Sequence, residues 1–402
     1  MVAEDVTRVS PLIAFHLPQY HPIPENDEWW GKGFTEWANV TRAVSLFPGH
    51  YQPHLPADLG FYDLRLPEAR AAQAQLAREY GIGGFCYYHY WFSGRRLLHR
   101  PVDEILQSGE PDFPFCLCWA NEPWSRNWDG GFKKVLVHQH YSEDDDLNHI
   151  RWLLPAFADR RYIRVDGKPL FLVYRSGQLP DPQRTTDIWR EEARKCGVGE
   201  LFLACVEPSP TVATDPSRSG MDALVQFTPE WHGAPRKQFF DSWRRLVRAR
   251  LYSRGRWLTR VIDSLLRQLS PYMIHATRQG RVSLRHKIRD YEDVVYSTLR
   301  LADAVEYRLF RCVCPGWDNT ARRKSGGMIF VGSTPELYES WLRTVVDRQR
   351  RSCFPGDPIF VNAWNEWAEG CHLEPCQKWG RSYLEATARA IKLCDTDSGG
   401  NP

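Results

Sequence analysis

Eight short apolar runs recur along this 402-residue chain, at 12–20, 83–91, 114–122, 169–174, 201–207, 223–228, 309–315 and 358–367. Between them lie stretches with helical spacing of apolar residues, at 67–80, 145–158, 187–196, 292–304, 335–350 and 382–393. Strand alternating with helix predicts a parallel sheet, because a crossover helix returns each strand to the same end. The runs are nearly continuous in Val, Ile, Leu and Phe rather than alternating with polar residues, which predicts strands buried on both faces. Eight such strands argue for a closed (β/α)8 TIM barrel over an open sheet. The competing doubly wound fold expects a Gly-rich phosphate loop after the first strand, and none is present.

Seven of the eight runs end in polar and aromatic clusters: FHLPQYHP, YYHYWF, CWANEPW, CVEPSP, VQFTPEW, CPGWDN and NAWNEWAEG. A barrel assembles its site from the carboxyl ends of its strands, so these tails are expected to meet around one cavity. Connections after the first run, with Trp29, Trp30 and Trp37, and after the sixth are long enough to build walls or lids.

The last tail carries the sharpest chemical signal. After Ile359, Phe360 and Val361, a period of two places Asn362, Trp364 and Glu366 on one face, and Glu369 follows one helical turn later. Two carboxylates in one small volume suit acid/base chemistry on a sugar, where one donates a proton while the other acts as base or nucleophile. The flanking Trp364, Asn365 and Trp367 suit pyranose faces and hydroxyls. The chain's 17 Trp, clustered beside Asn, Asp and Glu, favour the same substrate class. The alternative is a solvated glutamate pair capping the next helix.

Other tails supply candidate substrate contacts. Glu122 competes for the acid role or binds substrate, beside Trp119, Asn121, Trp124, Trp128 and Asp129. Tyr88, His89 and Trp91 either fill the barrel or wall the pocket. Trp231, Trp317 and Asp318 extend the argument to the sixth and seventh tails. His16, Tyr20 and His21 read as hydroxyl-binding or as buried and satisfied, since no third metal ligand follows at a defined spacing. The acidic run 143–146 resembles a divalent-metal motif of nucleotide-sugar transferases, yet acids at a helix start are ordinary. Neither metal nor cofactor is expected.

The formal charge of +3 conceals a division. Residues 236–289 hold fifteen Lys and Arg against Asp241 and Asp263, so the remainder of the chain is net acidic. With Trp243, Leu246, Val247, Leu251, Trp257, Leu258, Val261, Ile262, Leu265, Leu266 and Leu269 at helical spacing, the segment reads as a basic helical insertion spanning 230–290. It suits either an anionic membrane surface or the body's own acidic face. No signal sequence and no spanning segment are apparent, and the eleven cysteines match no zinc spacing and read as reduced thiols. A cytoplasmic protein, peripheral at the inner membrane and without a nucleic-acid partner, is the expectation.

LPQYHPIPENDEWWGKGFTEWANV, YYHYWF, WANEPWSRNWDG and NAWNEWAEG together resemble the WbsX-type proteins of bacterial surface-polysaccharide loci, which are similar to glycoside hydrolase family 99. The likeness runs from Ile13 to about Leu393, so the whole chain, 1–402, is expected to be one barrel domain carrying the insertion. The resemblance implies a (β/α)8 fold, retaining endo-α-mannosidase chemistry, the base role at Glu366 and the acid role at Glu369. It further implies a route in which the first glutamate deprotonates the sugar's own 2-hydroxyl, giving a 1,2-anhydro intermediate that water opens. Ala368 stands where that pattern implies a histidine. A mannose-like surface polysaccharide, lipopolysaccharide O-antigen or exopolysaccharide, is the expected substrate; a polysaccharide glycosyltransferase and a non-catalytic glycan-binding barrel are the alternatives.

Overall fold

The computed structural model describes residues 10–125, 135–207, 215–229, 286–301 and 305–396. Eight parallel strands close into a barrel: β1 (Leu12–His16), β2 (Ile82–Phe92), β3 (Phe115–Trp119), β4 (Lys168–Val173), β5 (Phe202–Glu207), β6 (Ala223–Gln226), β7 and β8 (Ile359–Val361). β7 comes in two halves, Leu309–Phe310 and Cys312–Val313. The first half pairs with β6 and the second with β8, and this change of partner at Arg311 completes the ring. β1 then joins β8 on one side and β2 on the other.

The helices that cover the ring include α3 (Pro67–Glu79), α5 (Glu143–Phe157), α6 (Pro182–Lys195), α7 (Tyr291–Leu301), α8 (Pro335–Arg350) and α9 (Ser382–Thr396). Their starts are written in the sequence. Ser142, Asp181 and Thr334 each accept a backbone N–H of the first turn, and Pro67, Pro182 and Pro335 open helices where no donor is needed. The acidic run Glu143–Asp146 forms the first turn of α5, with Asp145 accepting from Trp91 and Asp146 from Thr185. Three short helices not anticipated from periodicity, α1 (Pro24–Trp30), α2 (Trp37–Arg42) and α4 (Arg100–Ser108), interrupt the connections after β1 and β2.

Strand parity sorts the aromatic residues. Phe15 of β1 stacks on Tyr88 of β2 and touches Phe360 of β8 and Phe227 beyond β6, at centroid distances of 5.6, 5.3 and 5.5 Å, so it lies inside the ring. His89 and Trp91, one residue out of phase with Tyr88, face outward onto His149 and Trp152 of α5. Trp119 joins that outer layer against His149 and Trp189 of α6.

The expected insertion, with Trp231, lies outside the described residues except at its end. There Lys287–Asp290 is a strand, not the helix that the basic pattern predicts, paired in parallel with Met328–Val331. No helix among the described residues is long and apolar enough to cross a membrane. Ten of the eleven cysteines are free thiols.

Because Trp119 is fully buried between barrel and helices, Trp119→Ala is expected to cost about 3–5 kcal/mol of stability in urea titration.

Candidate active site

The turn after β8 brings Glu366 and Glu369 together through a third residue, Arg322. Its Nη2 lies 2.8 Å from Glu366 and its Nη1 2.8 Å from Glu369. Its Nε lies 2.7 Å from Glu36, just before α2. Of the four members of this cluster, the sequence singles out Glu366 and Glu369 but not Glu36 or Arg322. Glu36 sits within GFTEW in the long connection after β1, and Arg322 follows the WDN of the seventh tail. The signal for Arg322 was its place behind a strand end, but no spacing says which of Arg322, Arg323 and Lys324 turns inward.

Local geometry holds the guanidinium in place. Asp318 caps the short 3₁₀ turn Asn319–Ala321 by accepting from Thr320 N at 3.0 Å and Thr320 Oγ1 at 2.6 Å. His50 Nε2 donates to its other oxygen at 2.5 Å, and this pairing holds the Asp318 carboxyl below the usual range despite burial. The Asp318 backbone N–H donates to Glu369 O at 2.6 Å, joining the two turns. Gly370 follows with φ of +58°, and a Cβ there would sit 3.0 Å from that of Asp318, so this close approach requires glycine.

The strand-like face expected for Asn362, Trp364 and Glu366 is broken at Val361. Asn365–Glu366 pairs instead, antiparallel, with Cys371–His372. Asn362 and Glu366 reach the cavity, whereas Trp364 is fully buried against Phe85. Asn365 exchanges hydrogen bonds with Leu17, at 2.7 and 3.1 Å. Tyr20 donates to Asn365 O and accepts from Trp367 N. Trp367 stacks on His372 and donates to Glu374 at 2.6 Å. These residues shape the turn without lining the cavity. Glu374, sequestered and accepting also from Tyr62 and Gln73, is pushed up to about 7 by burial.

The cavity has a volume of about 410 Å³, within the roughly 300–1,000 Å³ typical of ligand pockets. Of the expected contacts, Tyr88, Glu122, Trp124, Trp317 and Asn362 line it with Glu366 and Glu369. Asn362 donates to Thr228 O at 2.7 Å, and its Oδ1 is buried with no partner among the described residues, so it can accept from a hydroxyl. Asn26, unanticipated, lines the same cavity with both side-chain polar atoms unpartnered among the described residues. Trp30 from the long connection also joins the wall.

Other expected contacts lie elsewhere. His16 donates to Gln73 of α3 at 3.2 Å, and His21 to Pro18 O at 2.9 Å. His89, Trp91 and Trp119 belong to the outer layer. Asn121 ties β3 to the chain beyond β4 by donating to Arg175 O and accepting from Arg175 N, both at 2.9 Å. Glu122 stands 3.3 Å from Arg175 Nε. Trp128 and Asp129 lie outside the described residues. Among those residues no group of His, Cys, Asp and Glu is arranged to hold a metal.

A family model described as Glycosyltransferase WbsX matches residues 12–387. The chain belongs to the WbsX family. It is 42% identical over 392 residues to a protein named WxcX from Xanthomonas campestris pv. campestris, and 42% identical over 387 residues to its counterpart from a second strain. These alignments cover 97% and 96% of this chain, which spans about half the length of those relatives, 51% and 50%. Among solved structures this WbsX-family chain is similar in fold to a GH99 endo-alpha-mannosidase from Bacteroides thetaiotaomicron. That match has a TM-score of 0.55 at 15% identity, over 97% of this chain and 98% of the other. A glycoside hydrolase-like protein matches with a TM-score of 0.56 at 14% identity, over 97% and 96%.

One guanidinium faces three carboxylates, and the excess of negative charge adds to burial in favouring the protonated forms of Glu366 and Glu369. Burial pushes Glu366 up to about 8; Arg322 opposes the shift, while Glu369 and Glu36 add to it. Burial also raises Glu369. A carboxyl whose folded pKa exceeds its unfolded value stabilises the fold below the unfolded pKa, and that contribution is lost as pH rises through the folded pKa. For Glu366 the loss therefore falls between about 4.5 and about 8. Glu366→Gln removes the titration and leaves Arg322 two acidic partners. The variant is expected to gain Tm relative to the parent as pH rises through that window, measured by thermal melts from pH 4 to 9.

Proposed function

We propose that this protein is a retaining glycoside hydrolase or transglycosidase acting on a mannose-like bacterial surface polysaccharide. The observation that carries the reading is the Arg322 contact with both Glu366 and Glu369 at one wall of a cavity with aromatic and amide lining. Two carboxyls on one guanidinium are well placed to serve neighbouring oxygens of one sugar, rather than opposite faces of its anomeric carbon.

Glu366, in its ionised form, takes the proton of the 2-hydroxyl, and the 2-oxygen attacks the anomeric carbon. Glu369 gives its proton to the departing glycosidic oxygen as that bond breaks, leaving a 1,2-anhydro sugar. An incoming water, or an acceptor sugar hydroxyl, then attacks the anomeric carbon from the face the leaving group vacated. Glu369 receives its proton, and Glu366 returns its own to the 2-oxygen. Two inversions give net retention. Burial raises both carboxyls above the ordinary carboxylate value, which favours a pair that trades protons with substrate closer to neutrality. The acceptor decides between hydrolysis and transfer.

The family description, Glycosyltransferase WbsX, supports a second reading, transfer from a sugar nucleotide. The two readings separate on one assay. Purified protein is expected to release reducing ends from bacterial surface polysaccharides with no sugar nucleotide added. Glu366→Gln and Glu369→Gln should each lower that rate by at least about a hundredfold while leaving glycan affinity intact. Strict dependence on a sugar nucleotide would favour the transferase, and binding without turnover a glycan-binding barrel.

We also propose that the protein works at the cytoplasmic face of the inner membrane, drawn there by the charge of residues 236–289. Each Lys or Arg near an anionic surface contributes about 1 kcal/mol, screened by salt. Sedimentation with phosphatidylglycerol vesicles is expected at low ionic strength, and to disappear at about 0.5 M salt, where charge is felt over only a few Å.

A further inference from the structure

Beside the carboxylate cavity lies a second one, of about 480 Å³, that the chemistry above leaves unused. Trp317 is a wall of both, and Gly370, which follows Glu369, lines the second. Its polar groups are mostly satisfied by one another. His50 donates to Asp318, and His54 Nδ1 lies 2.9 Å from His372 Nε2. Burial lowers His54 to about 4 and His372 well below the ordinary value, so that neither is a cation at neutral pH.

Lys378 is the exception. It is exposed at the cavity rim, with its ammonium 4.7 Å from the Tyr51 ring centroid and 4.6 Å from that of Trp379. Among the described residues no carboxylate pairs with it. A cation resting on two ring faces is held less firmly than one donating to a carboxylate. A ligand carboxylate would therefore draw the ammonium away and leave the Tyr51 and Trp379 faces open to the apolar side of a pyranose.

We propose that this second cavity is a subsite for a carboxylate-bearing sugar, with Lys378 as the anion partner and Tyr51 and Trp379 as stacking platforms. With Trp317 common to both cavities, the acidic residue would belong to the same polymer that meets Glu366 and Glu369. That placement rests on the glycan reading of the first cavity, whereas binding of an acidic sugar does not require turnover.

Saturation-transfer NMR with D-glucuronate and, separately, D-glucose as probes tests this on the whole protein. Glucuronate is expected to bind at least about tenfold more tightly than glucose. Lys378→Met should erase that preference with glucose affinity unchanged, and Glu366→Gln should retain it. Failure of hydrolysis alongside a Lys378-dependent preference would remove the catalytic reading and leave this site standing. Equal affinity for the two sugars would overturn the proposal. So would a preference that survives Lys378→Met, which would assign the anion to the arginines of the first cavity.

Discussion

The Arg322 guanidinium is the contact on which the site depends. It draws Glu36 from the connection after β1 and Glu366 and Glu369 from the turn after β8 onto a side chain from the turn after β7. Burial disfavours its charge, but the carboxylates around it, Glu36 and Glu366 foremost, hold its proton far more tightly than water would. The excess of negative charge is useful. It favours protonation of Glu366 and Glu369, the condition under which one carboxyl can give a proton while its neighbour takes one.

Around this cluster lies a layer that stays out of the carboxylate cavity yet sets its shape. Asp318 holds the turn bearing Arg322 with its side chain and the turn bearing Glu369 with its backbone. Asn365, Tyr20 and Trp367 hold the backbone on either side of Glu366. Glu374 gathers donors from Tyr62, Trp367 and Gln73, and Gln73 also accepts from His16. The α3 helix is thus tied to the turn after β8 by a buried polar chain in which each named bond is made. Such a network holds functional groups more closely than a loop could alone.

Much of this was legible before any coordinates. The eight runs correspond to the eight strands, and the tail after β8 was singled out by its chemistry. What misled was parity and contact at the strand ends. YYHYWF looks like one aromatic patch, but Tyr88 and Tyr90 turn to the cavity while His89 and Trp91 turn to α5. Trp364 was expected beside Glu366 because a strand was assumed to continue past Val361. The chain leaves the strand there, and Trp364 packs on Phe85. Asn121 reads as a ligand contact, yet its amide satisfies the Arg175 backbone.

The sequence by itself determined the parallel barrel, the end of it where the candidate site lies, and Glu366 and Glu369 as its candidate acids. Those follow from local rules: unbroken apolar runs demand burial on both faces, and crossovers put every strand's carboxyl end on one side. Only the tertiary structure decided that Glu36 and Arg322 complete the cluster, and that a second cavity with Lys378 lies beyond Trp317. Glu36 and Arg322 stand 286 residues apart and meet because the ring closes. A contact of that span leaves no periodicity in the chain, since its partners are chosen by the geometry of the closed barrel and not by their neighbours in sequence.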